Sequence, residues 1–224
     1  MSDPPGNLVR MTTRHLVWDW NGTLFNDLEA VVSATNDVLT GAGGSAVTAE
    51  EHRSRFIRPI ADYYALELGR PVAPEEFAVM DKVFHDAYER YRLACKPAAD
   101  ARDAIAAWKG TQSLLSMWHH ENLVPLVDQF GLTGLLNRVD GLRGAGGGPK
   151  HPHLEAHLTA IPVDPSTVVL IGDSVDDAEA ALAVGASAVL YTGGFTAEAK
   201  LRAVGVPVAG SLLEAVELAT RPPA

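Results

Sequence analysis

With 224 residues and 47% apolar content, the chain has material for one well-buried core and a small accessory domain. Its net charge of −10 argues against a nucleic-acid surface and against an anionic membrane surface. The single cysteine, Cys95, excludes an internal disulfide and fits a reducing compartment. No apolar run approaches the length of a membrane span, and residues 1–13 lack a signal-peptide core, so the expected location is the cytoplasm. Those first residues, with Pro4-Pro5-Gly6, read as a loose tail.

Arg14 to Asp19 is the first expected strand, because Leu16-Val17-Trp18 is apolar throughout. Asn26 to Leu39 has helical spacing of Leu28, Val31, Val32, Val38 and Leu39, with Asn26 and Glu29 as its capping pair. Thr48 with Glu51 starts a second helix by the same signal. A short helix is expected from Pro59 to Leu68, closed by Gly69. A long one follows from Pro74 to Leu93, with Phe77, Met80, Phe84, Tyr88 and Tyr91 in one stripe that reads as core packing. Residues 26–96 are therefore helices without a strand, and Lys96-Pro97 marks the return to strand–helix alternation.

That alternation runs as helix 99–108, strand 111–116, helix 121–130, strand 137–140, helix 153–160, strand 167–171, helix 177–184 and strand 187–191. Helices 196–204 and 211–220 follow, with a candidate strand at 206–209 between them. The pattern predicts an α/β doubly wound parallel sheet with an inserted all-helical domain. The boundaries are 1–13 for the tail, 14–25 with 97–224 for the sheet domain, and 26–96 for the helical insertion.

Chemistry is expected where the first strand ends, at Asp19-Trp20-Asn21-Gly22-Thr23-Leu24. Open parallel sheets place ligands at strand C-termini. A carboxylate there, beside a glycine that lets backbone amides approach, suits a nucleophile facing a phosphate. Three further pieces follow in order: Ser116 after an apolar run, Lys150 before a helix, and Gly172-Asp173-Ser174-Val175-Asp176-Asp177 after another run. The Ser116 hydroxyl and the Met117 amide can bond phosphate oxygens, with Ser113 a competitor inside the strand. Lys150 can neutralise charge on a transferring phosphoryl group. The glycines at 144–148 do not make a P-loop with it, since no Gly-Lys-Ser/Thr is present.

Together these four motifs resemble the haloacid dehalogenase-like (HAD) superfamily, in its phosphoglycolate-phosphatase-like branch with a helical cap. The resemblance covers nearly the whole chain from His15 onward. It implies a phosphatase acting on a small phosphorylated metabolite, with Asp19 as nucleophile and Trp20 beside it at the phosphate. It also places Asp173 next to Asp19, with Mg²⁺ between them. The main-chain carbonyl of Asn21 and the carboxyl of Asp177 or its neighbour Asp176 complete the metal shell. The cap would close over the site. No nucleic acid or membrane partner is expected, and the oligomeric state is open.

The chain departs from the family pattern D-x-D-G-T at Asn21, which replaces the aspartate that protonates the leaving oxygen and activates water. Loss of such a group costs on the order of 10²–10⁴ in rate. Three accounts stay open: substrates with good leaving groups, another base such as His119 or His120, or a protein that binds phosphorylated ligands and turns over poorly. Deamidation at Asn21-Gly22 would be a fourth route, restoring an aspartate. Phosphotransferase or mutase activity is open as well. A dehalogenase would not need the implied metal site, and a phosphonate hydrolase would want a small apolar residue at position 21. Arg53, Arg55 and Arg58 form a basic cluster in the insertion that can clamp an anionic substrate, Arg58 foremost. His153 and His157 have zinc spacing but no third ligand, and read as surface residues.

Overall fold

A computed structural model describes residues 14–57, 59–144 and 148–221. The chain starts with β1 (His15–Trp18), all four residues of which are buried, followed by the two-residue β2 (Phe25–Asn26). Four helices come next: α1 (Leu28–Gly41), α2 (Ala49–Arg55), α3 (Ile60–Leu68) and α4 (Pro74–Tyr91). β3 (Lys96–Pro97) then pairs antiparallel with β2, which closes the helical insertion at a two-stranded neck. The rest alternates: α5 (Ala101–Ala107), β4 (Thr111–His119), α6 (His120–Gln129), β5 (Val139–Leu142), α7 (His151–Thr159), β6 (Val168–Gly172), α8 (Val175–Ala183), β7 (Ser187–Tyr191), α9 (Glu198–Ala203), β8 (Val208–Ala209) and α10 (Leu212–Thr220).

The main sheet has the order β5-β4-β1-β6-β7-β8, and every pairing in it is parallel. Residues that alternate along a strand face opposite sides of a sheet. Leu16 and Trp18 accordingly join a core with Ile105, Leu123 and Val216 from α5, α6 and α10. Val17 joins the opposite core with Leu154, Ala181 and Leu201 from α7, α8 and α9. Both faces are covered, which is why β6 is apolar throughout. Strand order reverses at β1, so the ends of β1, β4 and β6 frame a crevice.

The insertion has its own core of Leu39, Tyr63, Tyr64 and Met80. The Thr48–Glu51 capping box forms as expected, and Gly69 ends α3 in the left-handed conformation at φ 64°. Arg53 does not clamp an anion: its guanidinium donates to the carbonyls of Gly194 (2.7 Å) and Gly193 (3.1 Å), fastening the insertion to the loop after β7. Arg55 pairs with Glu51 and Glu67 within the insertion. Arg58 lies outside the described residues.

Two local expectations are corrected. The capping pair Asn26–Glu29 does not form; α1 starts at Leu28, and Asp27 occupies the N-cap position without making a side-chain cap bond. Nor does β4 end at Ser116. It continues to His119 through a register shift against β5, so the Met117 amide belongs to a strand and not to a helix start.

The histidines form a buried polar chain. His15 bonds Thr111 (2.7 Å) and Ser113 (2.8 Å), and Ser113 bonds His157 (2.7 Å), whose other nitrogen meets Asp140 (2.8 Å). Burial pushes His15 down to about 4, so it is neutral at pH 7. Ser113 is thus a packed hydroxyl, and His157 is a buried structural residue instead of the expected surface one. Among the described residues no helix is long and apolar enough to cross a membrane.

Candidate active site

Asp19 is the first residue past β1, where its amide still donates to the Ile171 carbonyl (2.9 Å). The chain then turns sharply at Gly22, whose φ is 73°. A Cβ there would lie 2.6 Å from an Asp173 oxygen, so glycine is required both for the turn and for the approach. Asp173 follows β6 and is nearly fully buried. It accepts from the Thr23 hydroxyl (3.0 Å) and from the Phe195 amide (2.7 Å).

Asp177 lies one helical turn further. Ser174 caps α8 by accepting from the Asp177 amide (3.2 Å), and the Asp177 carboxylate returns to the Ser174 amide (3.0 Å) and hydroxyl (2.6 Å). Its other oxygen accepts from the Lys150 ammonium at 2.5 Å, and the same ammonium donates to Asp19. Lys150 itself is placed by Asp176, whose carboxylate accepts the Lys150 amide (3.1 Å).

One oxygen from each of Asp19, Asp173 and Asp177 falls within a 4.8 Å group. Three carboxylates and one ammonium leave an excess of negative charge in a buried place. Burial therefore pushes Asp19 up to about 7, with Lys150 opposing the shift, and pushes Asp173 well above its ordinary range, reinforced by Asp19 and Asp177. Burial alone would lower Lys150, but Asp177 and Asp19 outweigh it and hold the ammonium protonated. An all-oxygen donor set that is short of positive charge fits a hard divalent cation. Asp173 is the carboxylate most in need of it, because its partners Thr23 and Phe195 are neutral, whereas Asp19 and Asp177 share the Lys150 ammonium.

The Asn21 side chain is fixed from three directions. Its amide nitrogen donates to Asp27 (2.7 Å) and Tyr88 (2.9 Å), and its oxygen accepts from the Ser116 hydroxyl (3.3 Å). Asp27 is fully buried behind it and accepts from the Gly22 amide (2.8 Å) and the Tyr88 hydroxyl (2.6 Å). Burial raises Asp27 and Tyr88 alike. Tyr88 stands on α4, so this network ties the insertion to the loop after β1.

Above the acidic floor is a cavity of about 390 Å³ between the sheet and the insertion. The floor brings together Asp19, Asn21, Ser116, Met117, Lys150, Asp173 and Asp177 as the sequence predicts. Phe56, Phe84 and Tyr88 of the insertion line the other side. The aromatic stripe on α4 is thus only partly core: Met80 and Tyr88 are buried, Phe84 and Tyr88 face the cavity, and Tyr91 reaches the surface to bond Asp37. Sequence periodicity cannot separate a wall from a core, since both are apolar faces. Lys200 of α9 also lines the cavity, and nothing in its surrounding sequence marks it.

Three candidates are not where the sequence places them. The Trp20 indole is fully buried, stacked on Phe25 at 5.3 Å; only its main-chain amide faces the Asp19 carboxylate. His119 and His120 do not line the cavity. His120 accepts from the Gly141 amide and contacts Arg143, because the extension of β4 carries both histidines past the crevice.

The family model for HAD-hydrolase-like proteins matches residues 146–215, which span Lys150 and the Asp173–Asp177 motif. Over those residues the chain is similar to HAD-like hydrolases. Solved structures agree on the HAD-like fold across almost the entire chain. A predicted phosphoglycolate phosphatase from Haemophilus somnus superposes with a TM-score of 0.74 at 16% identity, covering 93% of this chain and 99% of that one. A haloacid dehalogenase-like family hydrolase from Streptococcus pneumoniae gives 0.78 at 14% identity, covering 92% and 98%. A predicted phosphatase from Clostridium acetobutylicum gives 0.72 at 16%, covering 92% and 97%. At these identities the likeness of the chain to these structures is one of fold. Among curated proteins, no sequence matches it.

Proposed function

We propose that this protein is a Mg²⁺-dependent phosphoric monoester hydrolase of the cytoplasm, acting on a small phosphorylated compound through an aspartyl-phosphate on Asp19. The observation that carries the reading is the contact of one buried ammonium, Lys150, with both Asp19 and Asp177 at the floor of a cavity. A carboxylate held beside a fixed cation, at the switch point of a parallel sheet, is equipped to attack a phosphoryl group and to bear the charge that builds up. The helical insertion serves as the cap, and its closure keeps bulk water from the phosphoryl group.

In this reading Asp19 attacks phosphorus and the ester P–O bond breaks. Water then attacks the aspartyl-phosphate, releasing phosphate and restoring the carboxylate. The Ser116 hydroxyl and the Lys150 ammonium hold phosphoryl oxygens. Asp177 positions Lys150, and Asp176 positions its backbone. Asp19, Asp173 and the Asn21 carbonyl would hold Mg²⁺, which supplies charge neutralisation of the phosphoryl oxygens. Because Asn21 offers no proton and no base, the second half-reaction is the slower one. Transfer of the phosphoryl group to an acceptor other than water is therefore the second reading.

The test is phosphate release from a panel of phosphorylated metabolites and an activated aryl phosphate, with and without Mg²⁺, for wild type and Asp19→Asn. Mg²⁺-dependent release that disappears in Asp19→Asn is the expected result. Release that survives Asp19→Asn would sink the aspartyl-phosphate route. Release only when an alcohol acceptor is added would favour the transferase.

A further inference from the structure

We infer that the substrate is the phosphate monoester of a phenol. This rests on the phosphatase reading and narrows it. Two independent features lead there: the wall that would receive the organic group, and the proton supply to the leaving oxygen.

Among the described residues, the apolar lining of the cavity includes Val31, Phe56, Ile57, Phe84, Trp118 and Phe195. Tyr88 adds a ring, but its hydroxyl is already engaged by Asp27 and Asn21. Phe84 lies parallel to Tyr88 at 6.1 Å, and Trp118 meets Tyr88 edge-on at 6.2 Å. His85, Thr196 and Lys200 are among the polar side chains of the lining, and Lys200 donates to the Phe56 carbonyl (3.2 Å). A polyol placed against the aromatic part of this wall would lose hydrogen bonds to water with little to replace them. A flat apolar ring would gain stacking and edge contacts instead.

Position 21 offers the leaving oxygen no acid. Both donor contacts of the Asn21 amide point to Asp27 and Tyr88, and its oxygen faces Ser116. Asp27 is fully buried behind that amide. An alkoxide leaving group is about as basic as hydroxide, whose parent water has a pKa of about 15.7. A phenol, like the tyrosine side chain, has a pKa of about 10 and leaves as the phenolate without help. The steps balance. An Asp19 oxygen bonds to phosphorus as the bond from phosphorus to the phenolic oxygen breaks, and the electron pair leaves on the phenolate, which takes a proton from solvent. Water then attacks the aspartyl-phosphate, its P–O bond to Asp19 breaks, and the water's protons depart on phosphate and into solvent.

Four probes separate the two features: phenyl phosphate (ring, good leaving group), benzyl phosphate (ring, poor leaving group), acetyl phosphate (no ring, good leaving group) and phosphoglycolate (neither). With Mg²⁺ present, kcat/KM for phenyl phosphate should exceed that for benzyl phosphate by about 10²-fold or more, and Asn21→Asp should narrow the gap. A burst of phenol equal to the enzyme concentration should precede steady turnover. Phe84→Ala should raise KM for phenyl phosphate more than for acetyl phosphate, with Phe84→Leu as the milder change should the alanine variant melt early. Benzyl phosphate or phosphoglycolate turned over as fast as phenyl phosphate, through Asp19, would overturn the phenolic class and leave the phosphatase standing. So would turnover of acetyl phosphate alone. Inertness toward all four probes would overturn both.

Discussion

Two buried acids flank the cavity floor, each at the start of a helix, and the fold uses them in opposite ways. Asp177 sits in the first turn of α8, completes the capping box with Ser174, and gives its free oxygen to Lys150. Asp27 sits at the N-cap position of α1 and caps nothing; its carboxylate turns to Gly22, Asn21 and Tyr88. The first acid is joined to a cation, so its charge is matched locally. The second is held by neutral donors alone. What the pair teaches is that an acid at a helix start reads as a cap only when that start supplies its donor: Asp177 meets Ser174 three residues away, whereas the donors on Asp27 come from the preceding loop and from Tyr88, 61 residues on.

The largest effect should come from removing the cation on the Asp177 side. Lys150→Met leaves Asp19 and Asp177 buried without their shared partner, which typically costs about 3–5 kcal/mol. Urea unfolding without Mg²⁺ should show a loss of this size, and turnover should fall on the order of 10³-fold or more. A loss under 1 kcal/mol would mean that the ion pair is matched by solvent and that the two acids are more alike than the geometry suggests.

Metal binding sharpens the contrast further. Mg²⁺ at 100 times its Kd should stabilise the protein by about 2.7 kcal/mol. Asp173→Asn should remove that gain, and chelation should reverse it in wild type. Asp177→Asn should keep much of the gain while weakening turnover, since the Asp177 charge is already met by Lys150 and that of Asp173 is met by no side-chain cation. If Asp177→Asn abolished the Mg²⁺ shift, Asp177 would be a metal ligand first and a lysine holder second.

On the other side, Asn21→Asp places a second carboxylate where an amide now donates to Asp27 at 2.7 Å. Losing that bond and burying a facing acid should cost about 1–3 kcal/mol. Asp27→Asn added to Asn21→Asp restores one donor and one acceptor to the pair and should recover most of the loss. A double-mutant cycle measures the recovery, and additive effects would show that the two side chains do not depend on each other.

Much of this site was legible because its signals are short. The apolar runs fixed β1, β4 and β6, so the parallel sheet could be drawn from spacing, while the placing of Asp173 beside Asp19 came from the resemblance that the four motifs carry. Lys150 was found because it stands between a loop and a helix. The wall was not legible, because Phe84 and Tyr88 have the same helical period whether they meet a core or a cavity. His119 and His120 misled because β4 extends through a register shift that no local pattern announces. Asp27 was missed for a different reason: it occupies the place of a cap, and its real partners come from another helix and from the loop at Gly22.

The smallest effect isolates the helix start itself. α2 and α8 carry the same capping box with nearly the same geometry: the Glu51 amide donates to Thr48 at 3.2 Å, and the Asp177 amide donates to Ser174 at 3.2 Å. Thr48→Ala and Ser174→Ala should each cost about 1 kcal/mol in unfolding free energy. Only the second should alter turnover, because the Ser174 hydroxyl also donates to the Asp177 oxygen at 2.6 Å and so restrains the carboxylate that holds Lys150. Matched losses of stability with unequal losses of kcat would show that the α8 cap is part of the machinery that places the lysine. Equal kcat in the two variants would show that Lys150 keeps its place through Asp19 and Asp176 without the cap.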